Sequence, residues 1–146
     1  IMGFEGFDLF RKKADEKTKK PLILIIDDDV SVRESMRIIL RDKYRVVLCS
    51  SGEQGIQDIQ KEVDAVILDI KMPGQDGFQT CKQISKKFPQ MPIIFFSAYQ
   101  DLKDPFEIMN DYHPFGYIKK GVDNSEILDL LGRAVNYSKL YCIRST

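Results

Sequence analysis

The sequence predicts an α/β fold in which a parallel sheet of five strands is covered by helices on both faces. Short apolar runs alternate five times with segments whose apolar residues recur at helical spacing. These runs are continuously apolar and rich in β-branched residues, as expected for strands that are buried on both sides. The 146 residues are enough for one such domain and too few for two.

The predicted elements follow one another with short connections. Strands are expected over 22–26, 44–50, 64–70, 91–98 and 115–120. Helices are expected over 30–43, 52–62 and from about 77 to 87, with a final helix that runs from Asp123 through Val135. Capping-box patterns mark three helix starts, at Ser31 with Glu34, Asp76 with Gln79, and Asp123 with Glu126. The segment 99–114 is less regular, and Pro105 there could occupy the first position of a helix.

Composition and charge argue against several classes of function. The 22 basic and 22 acidic residues give a formal net charge of zero, so no global positive field attracts nucleic acid. No apolar run reaches the ~18 residues of a membrane span, and no signal-peptide pattern is visible. Cys49, Cys81 and Cys142 contain no CxxC pair that would indicate zinc or redox chemistry. These features agree with a cytoplasmic location and with a chain that binds neither nucleic acid nor membranes.

Polar residues follow four of the predicted strands at their carboxyl ends, where parallel α/β sheets place their ligand sites. They are Asp27, Asp28 and Asp29 after the first strand, Asp69 after the third, Ser97 after the fourth, and Lys119 and Lys120 after the fifth. Clustered carboxylates repel one another and need a cation between them. Oxygen-only ligands suit a hard ion such as Mg²⁺.

The same residues suit phosphoryl transfer. A carboxylate can attack phosphorus and form an aspartyl phosphate. The transferring group then needs positive charge and hydrogen-bond donors around its oxygens. Mg²⁺, Lys120 and the Ser97 hydroxyl could supply these around Asp69.

Four motifs in order resemble the receiver domains of two-component response regulators. They are IIDDD with Arg33, LDIKMPGQDG at 68–77, PIIFFSA at 92–98, and GYIKK at 116–120. The resemblance covers roughly residues 21–140. It implies a flavodoxin-like, doubly wound sheet of strand order 2-1-3-4-5 in three α/β/α layers. The receiver domain is therefore assigned to 21–141, with 1–20 as an N-terminal extension or linker and 142–146 as a short C-terminal tail.

The resemblance also implies the roles of the acidic residues. Asp69 corresponds to the phosphoacceptor. Asp28 corresponds to the direct Mg²⁺ carboxylate, while Asp27 would hold the metal through water or orient it. Asp69 itself and the backbone carbonyl of Lys71 would complete the protein ligands of the metal.

The remaining roles fall on the fourth and fifth strands. Ser97 would bond a phosphoryl oxygen, and Lys120, preferred over Lys119 by its spacing from Gly116, would pair with the phosphoryl group. Tyr117 corresponds to the switch aromatic that turns inward when Ser97 engages that group. This movement would change the output face formed by the fourth helix, fifth strand and fifth helix.

The resemblance implies that the chain is a signalling switch rather than a metabolic enzyme, although it would catalyse its own phosphorylation and dephosphorylation. The phosphoryl donor would be a phosphohistidine on a sensor histidine kinase or phosphotransfer protein. The output would be a partner or domain that binds the output face, and a homodimer is left open.

The chain departs from the family pattern in three respects. Gly121 stands where the family often has Pro. Tyr99 and the Lys71 side chain occupy positions where the family tunes dephosphorylation. The segment 101–116 lacks the usual small residues, and its single histidine, His113, is expected to be a surface residue rather than a phosphohistidine.

Two alternatives belong to other functional classes. Asp27–Val30 also fits the DxD motif of haloacid-dehalogenase-type phosphatases with Asp27 as nucleophile, but that reading leaves Asp69 unexplained. The other alternative is a pseudo-receiver, an interaction module that never turns over phosphate. Such modules usually lack an acidic or lysine member, and none is missing here.

Overall fold

Five parallel strands form one sheet in the order β2-β1-β3-β4-β5. The structure is a computed structural model that describes residues 19–98 and 104–144, with side chains described as far as Tyr141. The strands are β1 (Leu22–Ile26), β2 (Arg45–Cys49), β3 (Ala65–Leu68), β4 (Ile93–Ser97) and β5 (Gly116–Lys119). The predicted fold class and strand order are confirmed.

Five helices in the described residues connect and cover the strands. They are α1 (Val30–Leu40), α2 (Gly52–Asp58), α3 (Gly77–Lys87), α4 (Pro105–Tyr112) and α5 (Asn124–Arg144). One apolar cluster joins α2, α3 and α4 to one face of the sheet, and a second joins α1 and α5 to the other. The predicted three-layer architecture follows from this division.

Successive residues of each strand enter different clusters because side chains alternate across a strand. In β1, Leu24 and Ile26 belong to the cluster under α2–α4, whereas Ile23 and Ile25 belong to the cluster under α1 and α5. All four side chains are buried. This two-sided burial explains why the strands read as continuous apolar runs rather than as alternating patterns.

The start of α1 differs from the predicted capping box. The N-cap is Asp29, whose Oδ1 accepts from the backbone N of Ser31 at 2.8 Å and from its hydroxyl at 2.7 Å. Glu34 pairs instead with Arg37 at 2.9 Å. The prediction of Ser31 as the N-cap was wrong. Asp29, two residues earlier, caps the helix because its carboxylate accepts from the backbone N of Ser31.

The starts of α3 and α4 agree with the sequence. At α3, Gln79 N donates to Asp76 Oδ1 at 2.9 Å and Asp76 N donates to Gln79 Oε1 at 3.2 Å, which completes the predicted capping box. In the irregular segment, Pro105 occupies the first turn of α4 after the N-cap Asp104.

The long helix α5 is tied to the opposite end of the sheet from the strand carboxyl ends. The Tyr137 hydroxyl donates to Gln90 Oε1 at 2.9 Å, and the Tyr137 ring lies 5.7 Å from that of Phe115. The helical backbone continues to Arg144, so part of the predicted C-terminal tail is helical. Residues 1–18 of the predicted extension and Tyr99 lie outside the described residues.

No helix in residues 19–98 and 104–144 combines the length and apolar character that crossing a membrane requires.

Candidate functional site

The carboxyl ends of β1, β3, β4 and β5 bring the predicted site residues to one edge of the sheet. Asp27 follows β1 directly and is 1% exposed, and Asp69 follows β3 directly and is 4% exposed. Their backbones are joined across the two strands, because Asp69 N donates to Ile26 O at 2.9 Å. The sheet register therefore fixes the separation of the two buried carboxylates.

The three predicted metal carboxylates form one cluster. Ligand oxygens of Asp27, Asp28 and Asp69 all lie within 4.8 Å of one another. Asp28 is exposed, so the cluster is open to solvent on that side and closed on the side of the sheet. Asp29 is not part of this cluster, because its carboxylate caps α1.

Lys120 is the first residue after β5, and its side chain reaches the cluster. Its Nζ lies 2.9 Å from Asp27 Oδ2 and 3.5 Å from Asp69 Oδ1. Among the described residues, Asp27 Oδ2 has this ion pair and no hydrogen bond of regular geometry. Lys119 is exposed, as the alternation of side chains along β5 requires. The structure therefore brings the ammonium of Lys120 to the carboxylates and leaves Lys119 exposed.

The electrostatics of the cluster are unbalanced. Burial, together with the Asp27 carboxylate, raises the pKa of Asp69 to about 7 against the opposing attraction of Lys120. Burial alone would lower the pKa of Lys120, but the Asp27 and Asp69 carboxylates raise it above its usual value. Lys120 is thus held as a cation, while ionisation of Asp69 is disfavoured and would be eased by added positive charge.

The donor set fits a hard divalent cation. All three ligating groups are carboxylates, which Mg²⁺ prefers in proteins. Three ionised carboxylates against one ammonium leave two negative charges, and these equal the charge of one Mg²⁺ ion. Lys71 is an exposed residue of the loop after β3, two positions after Asp69 in the sequence.

Ser97 and Tyr117 lie on neighbouring strands and contact each other. Ser97 ends β4 and is 1% exposed, and its backbone O accepts from Lys120 N at 2.9 Å. Burial raises the pKa of the Tyr117 hydroxyl, and a hydrogen bond with the Ser97 side chain partly opposes that rise. The predicted switch pair is therefore already joined by side-chain contact.

The loop that follows Asp69 packs tightly against Gly77, the first residue of α3. A Cβ at this position would lie 2.1 Å from Asp69 O and 2.7 Å from Ile70 Cα. Gly77 N also donates to Ile70 O at 2.8 Å. The first residue of α3 therefore sits directly against the backbone that carries the candidate phosphoacceptor.

The β5–α5 connection contains Gly121 with a φ of 97°. This left-handed conformation favours glycine, and it occurs where the family often has Pro. Next to it, Lys120 Nζ lies 5.7 Å from the centre of the Phe96 ring. The ammonium therefore lies over an aromatic face as well as beside the carboxylates.

Arg33 was named with the first motif but was assigned no role, and the structure places it beside the acidic loop. It lies on α1, and its Nη1 donates to the backbone carbonyl of Asp27 at 2.6 Å. The available signal was its spacing, because Arg33 stands one helical turn after Asp29, the cap of α1. That spacing places its side chain over the loop that carries the acidic residues.

His113 has a structural position. It ends α4 in the left-handed conformation, with φ 48° and ψ 48°, and its N donates to Met109 O at 3.1 Å. The side chain is exposed and Pro114 follows. This geometry agrees with the expectation of a surface residue rather than a phosphohistidine.

Comparison with known proteins gives consistent results. Residues 23–132 match the model of the response regulator receiver domain. The transcriptional regulatory protein ZraR of Klebsiella oxytoca is 30% identical over 120 residues, which are 81% of this chain and 27% of ZraR. The transcriptional regulatory protein YbdJ of Bacillus subtilis is 42% identical over 81 residues, which are 55% of this chain and 36% of YbdJ. The chain therefore spans roughly a quarter to a third of the length of these curated relatives.

A solved structure agrees at the level of the whole domain. The response regulator receiver domain protein from Clostridium thermocellum superposes with a TM-score of 0.76 at 28% identity. The match covers 83% of this chain and 98% of that one. The haloacid-dehalogenase alternative fails against these matches, which extend over the Asp69 loop that it left unexplained. The chain belongs to the response regulator receiver domain family.

Proposed function

We propose that this chain is a phosphoacceptor of a two-component phosphorelay and that Asp69 carries the phosphoryl group. One observation carries the proposal. A buried carboxylate, Asp69, lies at a strand end within 4.8 Å of two further carboxylates and 3.5 Å from the ammonium of Lys120. A buried acid has no structural reason to be surrounded by other acids, because the arrangement destabilises its ionised form.

The reaction follows from these groups. An ionised oxygen of Asp69 attacks phosphorus, and the bond from phosphorus to the donor imidazole nitrogen of a phosphohistidine breaks. Lys120 neutralises charge on the transferring phosphoryl oxygens and stays protonated, since the carboxylates hold its pKa above the usual value. Water then attacks the aspartyl phosphate, which regenerates the Asp69 carboxylate and releases phosphate.

The proposed cofactor is Mg²⁺, held by Asp27, Asp28, Asp69 and the backbone carbonyl of Lys71. When bound, Mg²⁺ supplies positive charge to the phosphoryl oxygens and lowers the pKa of the Asp69 carboxyl. Asp27 contributes in a second way, because its ion pair with Lys120 keeps the ammonium beside Asp69. The arrangement ties metal ligand, lysine and acceptor to each other.

The proposed response is a change in the output face of α4, β5 and α5. Ser97 would move its hydroxyl to a phosphoryl oxygen, and Tyr117 would follow because the two side chains are in contact. On α4, Phe106 is 73% exposed and Met109 is 41% exposed, so this face already offers apolar area to a partner. The partner would be another protein or a further domain, since this chain matches only 27% and 36% of the length of relatives named as transcriptional regulatory proteins.

The donor would be a sensor histidine kinase or phosphotransfer protein, and the location that we propose is the cytoplasm. The limits of the receiver domain at residues 21–141 are part of the same proposal, with the family match spanning 23–132 in support.

The test is formation of a covalent adduct with a small phosphodonor. The protein is incubated with acetyl phosphate and Mg²⁺, and intact mass is followed with time. We expect one phosphoryl group per chain, which does not form when Mg²⁺ is chelated beforehand and is absent in Asp69→Asn. Asp129→Asn is the matched control. Within residues 19–98 and 104–144, this exposed carboxylate on α5 pairs with Arg133 of the same helix at 2.8 Å.

The pseudo-receiver alternative makes the opposite prediction. It expects no adduct with acetyl phosphate at any Mg²⁺ concentration, and no spectral response of Tyr117 to beryllofluoride, a phosphoryl mimic. A folded wild-type protein that behaves in this way would contradict the phosphoacceptor proposal.

A further inference from the structure

We propose that Arg33 is a positioning residue for the metal-binding carboxylates and that its guanidinium holds the β1–α1 loop in the shape that presents Asp27 and Asp28 to a divalent cation. The inference rests on the proposed function, because it concerns the same acidic cluster. Its starting point is the 2.6 Å hydrogen bond from Arg33 Nη1 to Asp27 O.

This hydrogen bond acts on the peptide unit that joins the two acidic residues. The carbonyl of Asp27 belongs to the planar peptide unit that joins the Cα atoms of Asp27 and Asp28. Holding this carbonyl in place therefore restricts the orientation of both residues. A hydrogen bond from a charged donor is short and stronger than a neutral one. Arg33 is half-buried, which limits competition from water for the same donor.

The loop needs such support because its residues repel one another. Asp27, Asp28 and Asp29 follow one another directly, and Asp69 adds a fourth carboxylate beside them. The backbone of the loop is tied at both flanks, where Asp27 N donates to Cys49 O at 3.1 Å and Asp29 N donates to Asp27 Oδ1 at 2.9 Å. Arg33 holds the carbonyl between these two ties.

The Arg33 charge also affects the thiol of Cys49. Burial is the main reason that the pKa of the Cys49 thiol is raised to about 12, and the Arg33 guanidinium opposes this rise. The guanidinium therefore lies near Cys49, the last residue of β2, as well as on the carbonyl of Asp27, which follows β1. This place suits a clamp on the backbone rather than a contact with solvent.

Positioning and simple electrostatics predict opposite effects of removing Arg33. A cation near a metal site repels Mg²⁺, so a purely electrostatic role predicts tighter Mg²⁺ binding once the charge is gone. A positioning role predicts weaker binding, because the two carboxylates lose their fixed separation. The sign of the change therefore separates the two roles.

The experiment is a backbone amide NMR titration of the full chain with MgCl₂ at constant ionic strength and a pH of about 8, where the Asp69 carboxyl is mostly ionised. We expect Arg33→Met to raise the Kd for Mg²⁺ by about three- to tenfold, as loss of one charge-assisted hydrogen bond suggests. Arg33→Lys keeps the charge without the planar fork and should fall between wild type and Arg33→Met.

Arg37→Met is the matched control. Arg37 lies one turn further along α1 and pairs with the exposed Glu34 at 2.9 Å, so its removal changes the charge of the helix without touching the loop. Its Kd for Mg²⁺ should equal that of wild type.

An Arg33→Met variant that binds Mg²⁺ as tightly as wild type, or more tightly, would overturn the proposal. If that variant lacks the dispersed spectrum of a folded protein, Arg33→Lys decides, and an unchanged Kd there overturns it as well. A wild-type protein without saturable Mg²⁺ shifts would overturn both this proposal and the proposed cofactor. Failure of the positioning role alone is recognised by normal wild-type binding.

Discussion

At the scale of single residues, the carboxylates of the site lie close enough to repel one another when ionised. Asp69 is buried beside other carboxylates, and its pKa of about 7 records the cost of ionising it there. Its folded-state pKa lies above that of an unfolded Asp, so the folded protein binds more protons than the unfolded chain between about pH 4 and pH 7. The metal-free protein must therefore lose stability as the pH rises through this window.

Asp69→Asn should remove this dependence. In the presence of a chelator, we expect the free energy of unfolding of the wild type to fall between about pH 5 and about pH 8. This fall should exceed that of the variant by about 1–3 kcal/mol. The measurement is urea unfolding followed by circular dichroism at several pH values. Saturating Mg²⁺ should restore wild-type stability at the upper end of the range.

Asp129→Asn is the control for this pH dependence, because the Asp129 carboxylate is exposed and its pair with Arg133 is screened by solvent. Parallel curves for wild type and Asp69→Asn in chelator would contradict the assignment of the charge strain to Asp69.

Two glycines offer a second comparison of single residues. At Gly77, a Cβ would collide with the backbone of Asp69 and Ile70, so we expect Gly77→Ala to destabilise the protein by about 2–4 kcal/mol. At Gly132, in the interior of α5, the nearest atom to a Cβ is the Tyr44 hydroxyl oxygen at 4.0 Å. Gly132→Ala should therefore stabilise the protein by up to about 1 kcal/mol.

Thermal unfolding of both alanine variants beside wild type checks this comparison. Equal effects at the two glycines would mean that backbone entropy, rather than the close contact at Gly77, sets the cost.

Most residues of the candidate site could be predicted because strand ends are easy to locate. Asp27, Asp69 and Ser97 each end an apolar run, and all such ends meet at one edge of a parallel sheet. The clamp by Arg33 could not be predicted in the same way. It depends on the direction of a long side chain and on the loop conformation beneath it, and residue types alone specify neither.

At the scale of elements, the strands were predicted within one or two residues, whereas two helices were predicted too long. The prediction for 30–43 became α1 ending at Leu40, and 52–62 became α2 ending at Asp58. At the end of α2, Ile59 adopts an extended conformation with ψ 133° and is 3% exposed. Apolar residues there satisfy a helical pattern, but the core buries them in extended chain.

The segment 99–114 was the least predictable part of the fold. Its helix α4 is short and carries two exposed apolar residues, so its hydrophobic pattern is weak. Local chemistry still marked its start at Pro105. Its end at His113 needs a left-handed residue, and a histidine before proline gives little warning of that conformation.

The capping box of α3 gives a prediction at this scale. Asp76→Ala removes an acceptor from the first turn of α3 and should cost about 1 kcal/mol of stability, whereas Asp76→Asn should cost only a few tenths. Urea unfolding of both variants measures the difference. Equal losses in the two would show that the carboxylate charge matters more than the cap.

At the scale of the whole molecule, the site joins parts of the chain that are distant in sequence. Lys120 extends from the edge strand β5 to Asp27 beyond β1, so its ion pair spans the width of β3 and β4. The strand order could be anticipated only through resemblance, because alternation of strands and helices does not by itself define which strands are neighbours. The observed order makes this long contact geometrically natural.

The separation of the interior into two apolar clusters has a consequence for mutational coupling. Ile84 lies in the cluster under α3 and Ile127 in the cluster under α5, with the sheet between them and buried fractions that are similar. Each Ile→Val substitution should cost about 0.5–1.5 kcal/mol. In a double-mutant cycle the two costs should be additive within about 0.5 kcal/mol. The two halves of the interior could then accumulate substitutions independently of each other, while the strand ends that hold the carboxylates remain subject to both.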